Sequence, residues 1–104
     1  WEAIVMSWKA GNRTSIHAHP QFAGYYFADG EFQVEIFEQA GPTALKLANV
    51  VRVNGQEGFA AIGHPGRFDN HIHRITCLSA TAHSLHVYSD DALRGMTFVR
   101  NDSE

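Results

Sequence analysis

One cysteine, Cys77, leaves this chain without an internal disulfide, and nothing in its cysteine usage points to an oxidising compartment. Cationic side chains are scarce too. Eight Lys and Arg stand against eleven Asp and Glu, for a net charge of -3. That excludes the basic footprint of a nucleic-acid or anionic-membrane binder. No apolar run approaches the ~20 residues that span a bilayer, and no signal-peptide pattern opens the sequence. Trp1 rather than Met stands first, so the start is read as trimmed. A convincing helical period is missing throughout, and the segment around Asp90–Arg94 makes at most one turn. Internal repeats, low-complexity tracts and linkers are absent as well. The chain has 104 residues, 44% hydrophobic and 18% charged. It is expected to form a single domain over 1–104 with its own core, in the cytoplasm.

Histidine is what the chain has in excess: His17, His19, His64, His71, His73, His83 and His86. Short segments rich in β-branched and aromatic residues surround them, at 3–8, 14–19, 24–28, 31–38, 44–53, 58–62, 71–77, 83–88 and 96–100. Turn residues separate these segments, and each reads as a strand. Asp29-Gly30 and Asn54-Gly55 are predicted to be type I′ hairpin turns. Over 31–38, Phe32, Val34 and Ile36 alternate with Glu31, Gln33 and Glu35, which predicts one packed face and one wet face. About nine short strands in such a length predict an all-β fold, a small antiparallel barrel or jelly roll. Edge strands on so small a barrel suggest a homodimer.

In a strand, residues i and i+2 point to the same face. His17 and His19 therefore project together, as do His71 and His73, and Ser84, His86 and Tyr88 form a third row. A barrel interior receiving these rows gathers several imidazoles around one point. Neutral imidazole is the commonest side-chain metal ligand and suits iron, copper, nickel and zinc. A three-histidine metal site follows, with His71 and His73 both open as the third ligand. Such a site with an open position also suits Zn²⁺ and hydrolytic chemistry.

The segment from Gly11 through His17-x-His19 to Gly24 and Gly30 resembles the first motif of the cupins. Where many cupins place a glutamate after the HxH, this chain has Ala23 and Gly24, as in the three-histidine thiol dioxygenases of the cysteine dioxygenase branch. Trp8 begins a WxxGxxxSIHxHP stretch similar to theirs. His73-Arg74-Ile75 resembles the strand of their third ligand, Ser84–Ser89 (SLHVYS) their Ser-x-His-x-Tyr row, and Met96-Thr97-Phe98 their closing strand. The likeness covers residues 8–98.

It implies a small cupin-type double-stranded β-helix holding Fe(II) through His17, His19 and His73, with Ni or Zn able to occupy the site in a purified sample. His86 and Ser84 would support Tyr88, whose hydroxyl would face bound substrate or O₂. Three neutral imidazoles leave the full charge on the metal, which an incoming thiolate offsets. The implied reaction takes a small thiol and O₂ to a sulfinic acid. The alternative is a minimal metal-binding cupin that binds a small ligand or acts as a sensor without turnover. The family places Asp at Ala18 and Asn at Cys77, and the cysteine that some members cross-link falls at Gly24. Its carboxylate-binding arginine lies before the Trp, where this chain has seven residues, so another cation is expected to serve. Arg74 stands first among the choices, ahead of Arg67, Arg94 and Arg13. His64 and His83 are expected on the surface.

Overall fold

A computed structural model describes residues 1–41, 44–64, 66, 70–91, 95, 97 and 98. Among these it forms nine strands: β1 (Glu2–Lys9), β2 (Ile16–His19), β3 (Phe22–Asp29), β4 (Glu31–Gln39), β5 (Leu45–Asn54), β6 (Glu57–Ile62), β7 (Asn70–Cys77), β8 (Thr81–Tyr88) and β9 (Thr97–Phe98). Each segment expected to be a strand contains one among its described residues, the last described only at Thr97 and Phe98. The turn expected around Asp90–Arg94 falls largely outside the described residues, as does Met96. No helix among them is long and apolar enough to cross a membrane.

Two antiparallel sheets face each other. One has the order β1-β8-β3-β6 and the other β5-β4-β7-β2-β9. The pairing reduces to two long ribbons. In one, β3 and β4 run against β6 and β5, from Phe22↔Ile62 through Glu31↔Asn54 to Gln39↔Leu45. In the other, β1 and β2 run against β8 and β7, from Glu2↔Tyr88 to His17↔His73. Each ribbon crosses from one sheet to the other midway, which makes the fold a jelly roll.

That crossing corrects the turn assignment. Asp29-Gly30 joins β3 to β4, and Asn54-Gly55 leads from β5 to β6, yet neither pair of strands is hydrogen-bonded to each other. The two dipeptides are opposite corners of one bent ribbon. Gly55 N–H donates to the Gly30 carbonyl at 2.9 Å, locking the corners together. Gly30 has φ +90°, and a Cβ there would lie 2.4 Å from Ala82 Cβ. Glycine serves a bend here, where positive φ and close approach are both required.

Between the sheets, one end is apolar: Trp8, Phe27, Phe32, Val34, Val53, Ile75, Cys77 and Ala82. Trp8 meets the Phe32 ring edge-on, with centroids 5.3 Å apart. A second buried cluster holds Ile16, Ala18, Phe37 and Ile72, with Leu45 and Phe98 against it. It qualifies the expected alternation along β4. Phe32 and Val34 are buried, but Ile36 is 38% exposed while Phe37 is buried. Phe37, on the face opposite Ile36, packs into the second cluster, so the face expected to be wet is covered at that end.

Candidate metal centre

The opposite end of the interior belongs to histidine. In β2, Ile16 and Ala18 turn into the second apolar cluster, so His17 and His19 turn together toward the facing sheet. His73, on β7, is the direct cross-strand partner of His17. The three rings meet with centroids 4.6 Å apart for His17 and His19, 4.9 Å for His17 and His73, and 4.4 Å for His19 and His73. One ligand atom from each lies within 4.8 Å of the others.

Backbone carbonyls set the tautomers. His17 Nδ1–H donates to the Ser15 carbonyl at 2.8 Å, and His19 Nδ1–H donates to the His71 carbonyl at 2.9 Å. A carbonyl only accepts, so in both neutral rings Nε2 keeps its lone pair. Burial and then mutual repulsion keep these rings uncharged. Burial lowers His17 against the opposing pull of the Ser15 carbonyl. His19 falls to about 3 through burial, then through His17. His73 lies well below the usual range through burial, then His19 and His17. Neutral imidazoles converging on one point, with the Nε2 lone pairs of His17 and His19 directed away from their carbonyl clamps, are a donor set that suits a divalent metal. The residues fit such an ion.

Ser84, His86 and Tyr88 form the expected row on β8. Trp8 Nε1–H donates to Ser84 Oγ at 2.8 Å, and the Ser84 hydroxyl donates to His86 Nε2 at 2.7 Å. The Tyr88 hydroxyl lies 3.2 Å from His86 Nδ1, so the row is hydrogen-bonded from Trp8 through to Tyr88. Burial first, then His17, lowers His86 to about 4. The Tyr88 ring stacks on His19 with centroids 5.5 Å apart.

The hydroxyl nearest the triad comes instead from Tyr25, which the sequence reading missed. Its oxygen lies 3.0 Å from His19 Nε2 and 3.4 Å from His73 Nε2. Only the pairing of strands brings it there. Ala23, Tyr25 and Phe27 share one face of β3, and Tyr25 pairs with His86. Burial pushes both phenols up, Tyr88 to about 12, so both remain protonated donors at neutral pH.

His71 stands apart from the triad although it lies two residues from His73. The β2–β7 register shifts between His17 and His19, and His71 adopts φ 55° there. Its ring reaches the Gln21 carbonyl at 3.3 Å, while its own carbonyl holds His19. The strand period that equates His71 with His73 fails at this irregularity. His64 is exposed, and His83 is exposed beside Asp29 at 3.0 Å.

Neither Arg74 nor Arg13, the candidate arginines among the described residues, supplies the expected cation. Arg74 is buried against Glu35, with Nε and one terminal nitrogen donating to the two carboxylate oxygens at 2.8 and 3.0 Å. Its guanidinium also lies over the Phe37 ring, away from His73. Arg13 is exposed at a bridge to Thr76. Arg67 and Arg94 lie outside the described residues. Cys77 is buried in the apolar core, its thiol directed to the Ser79 carbonyl.

A cavity of about 270 Å³ runs between the sheets to Tyr25 and His73. Its walls are largely apolar, from Phe27, Val34, Val51, Phe59 and Ile75 among others.

No family model and no curated protein matches the sequence. Solved structures do match in shape. The DMSP lyase DddQ from Ruegeria pomeroyi DSS-3 is 20% identical with TM-score 0.57, over 86% of this chain and 38% of that one. Peruvianin-I, a cysteine peptidase from Thevetia peruviana latex, is 13% identical with TM-score 0.60, over 91% and 53%. RmlC from Streptococcus suis, in complex with dTDP-D-xylose, is 15% identical with TM-score 0.57, over 88% and 45%. The chain thus spans about half or less of the structures it matches. Three proteins so different in activity share a fold with it rather than a function. Their likeness and the sheet order identify an all-β jelly roll of two antiparallel sheets.

Proposed function

We propose that this cupin-type chain holds one divalent metal, Fe(II) in the working protein, through His17, His19 and His73, and there oxidises a small thiol to a sulfinic acid. The observation that carries the reading is the convergence of three imidazoles, with no carboxylate in the cluster among the described residues, beside an apolar cavity. Bound iron would supply adjacent positions for thiolate and O₂, with three protein ligands leaving the remaining positions open.

The chain's own residues do the rest. Ser15 and His71 hold the first two imidazoles through their carbonyls, so neither ring must turn when its lone pair is used. Tyr25 holds a proton at the edge of the cluster. Tyr88 and His86 fix the wall behind it, and the apolar lining keeps water away. Both oxygen atoms end on sulfur, RSH + O₂ giving RSO₂H, so no external reductant enters the balance.

A second reading is a metal-binding module that takes up a small ligand without turnover. It is favoured by the absence of Lys or Arg from the cavity lining among the described residues. One experiment separates the two. The protein is loaded anaerobically with Fe(II), then given O₂ with cysteine, 3-mercaptopropionate, cysteamine or a neutral alkyl thiol. Sulfinate by mass, in step with O₂ uptake, supports the first reading. Bound iron without sulfinate from any thiol supports the second, and failure to bind metal overturns both.

A further inference from the structure

We infer that the ligand of this centre is an uncharged small molecule, with one donor atom at the imidazoles and a short hydrocarbon body along the cavity. The inference rests on the metal reading above and names the substrate class of that same site.

His73 of the imidazole cluster and Tyr25, whose hydroxyl lies 3.4 Å from it, stand at the cavity wall, so the cavity abuts the cluster on its His73 side. Phe27 and Ile75 are 1% exposed and close its deep side. Ile36 and Phe59 also line it and are 38% and 43% exposed, which puts the mouth beside them. Apart from Tyr25, His71 and His73, the described lining is aliphatic or aromatic, without Lys, Arg, Asp or Glu. A ligand carboxylate or ammonium would enter this space without a partner, at a large desolvation cost. Arg74, which stands next to His73 in sequence, is already held by both oxygens of Glu35. A volume of about 270 Å³ corresponds to about nine waters at ~30 Å³ each. A short alkyl or single-ring body fits, and a nucleotide does not.

Zn(II)-loaded protein tests this without turnover. Calorimetric titration compares ethanethiol, propanethiol and butanethiol with 3-mercaptopropionate and cysteamine. Affinity is expected to rise about fourfold per added methylene. The two charged thiols should bind at least about tenfold more weakly than propanethiol. Equal or tighter binding of either charged thiol, or no gain with chain length, overturns the inference. Ala61→Phe fills the cavity from β6 and should abolish the chain-length gain while one Zn(II) per chain is retained; an unchanged gain overturns it. Val51→Phe makes the same test from β5 should the first variant not fold. Protein that takes up no Zn(II) overturns the metal reading by itself. The cavity is then probed by NMR with toluene, which has no donor atom. Amide shifts at Phe27, Val34 and Phe59 support the apolar ligand class, and their absence overturns it.

Discussion

The Tyr25 hydroxyl donates to the lone pair on His19 Nε2, at 3.0 Å, that a metal would use. The phenol and a metal therefore compete for one atom. Tyr25→Phe should lower the stability of the metal-free protein by about 1–3 kcal/mol, because it leaves a buried acceptor unsatisfied. Once Zn(II) occupies that lone pair, the deficit should shrink to a few tenths of that. Thermal unfolding of both proteins with and without Zn(II) measures the difference. An equal loss in the two states would show that Tyr25 acts through packing alone.

The triad and its neighbour make opposite predictions. His17→Ala, His19→Ala and His73→Ala should each weaken Zn(II) binding by at least ~100-fold, since each removes a direct ligand. His71→Ala keeps the backbone carbonyl that orients His19. It should hold Zn(II) within about threefold of the unmodified chain. Competition with a chromophoric chelator gives the four constants.

Acid should destabilise the metal-free protein well before its carboxylates titrate. His19 and His86 are held near 3 and 4 in the fold, against 6.5 when unconstrained. Below pH 6.5 the unfolded chain takes up protons that the folded one refuses, so stability falls as pH drops toward 4. Each such group contributes up to ~1.4 kcal/mol per pH unit. Urea midpoints between pH 7.5 and 4.5 read the slope, and a flat profile would contradict the burial of these rings.

Corners and open loops should respond differently to the same added methyl. Gly30→Ala forces a Cβ into Ala82 at a positive φ and should cost more than about 2 kcal/mol. Gly41 has nothing within 4 Å of a built Cβ, so Gly41→Ala should stay within ~0.5 kcal/mol of the parent. Urea denaturation of the two variants gives both numbers.

The strands were legible because β-branched and aromatic runs between turn residues carry their own local signal, and the period of two aimed His17 and His19 together. Long-range geometry stayed hidden. Asp29-Gly30 and Asn54-Gly55 have the composition of hairpin turns, but hairpin and ribbon corner both need a tight backbone, with positive φ here at Gly30 and Gln56, and differ in which strands pair. His71 was indistinguishable from His73 until the bulge rotated one of them away. Tyr25 lacked a histidine-like spacing to mark it, and Arg74 sat beside a candidate ligand while pointing to the other side of its strand. Register, bulge and strand side are tertiary outcomes, and a local pattern does not encode them.

The ribbon that carries β1 and β2 against β8 and β7 also orders events during synthesis. His17 and His19 leave the ribosome before their partner strand with His73, which follows only after β3 to β6 have been made. Until then the chain presents a two-histidine half-site, held by neither carbonyl clamp nor barrel wall. Such a half-site favours whichever metal binds imidazole most avidly, with copper ahead of iron. The finished barrel imposes spacing and a fixed number of ligands instead. A metal held by the proposed triad would therefore be chosen in the folded state, where shape can outweigh raw affinity.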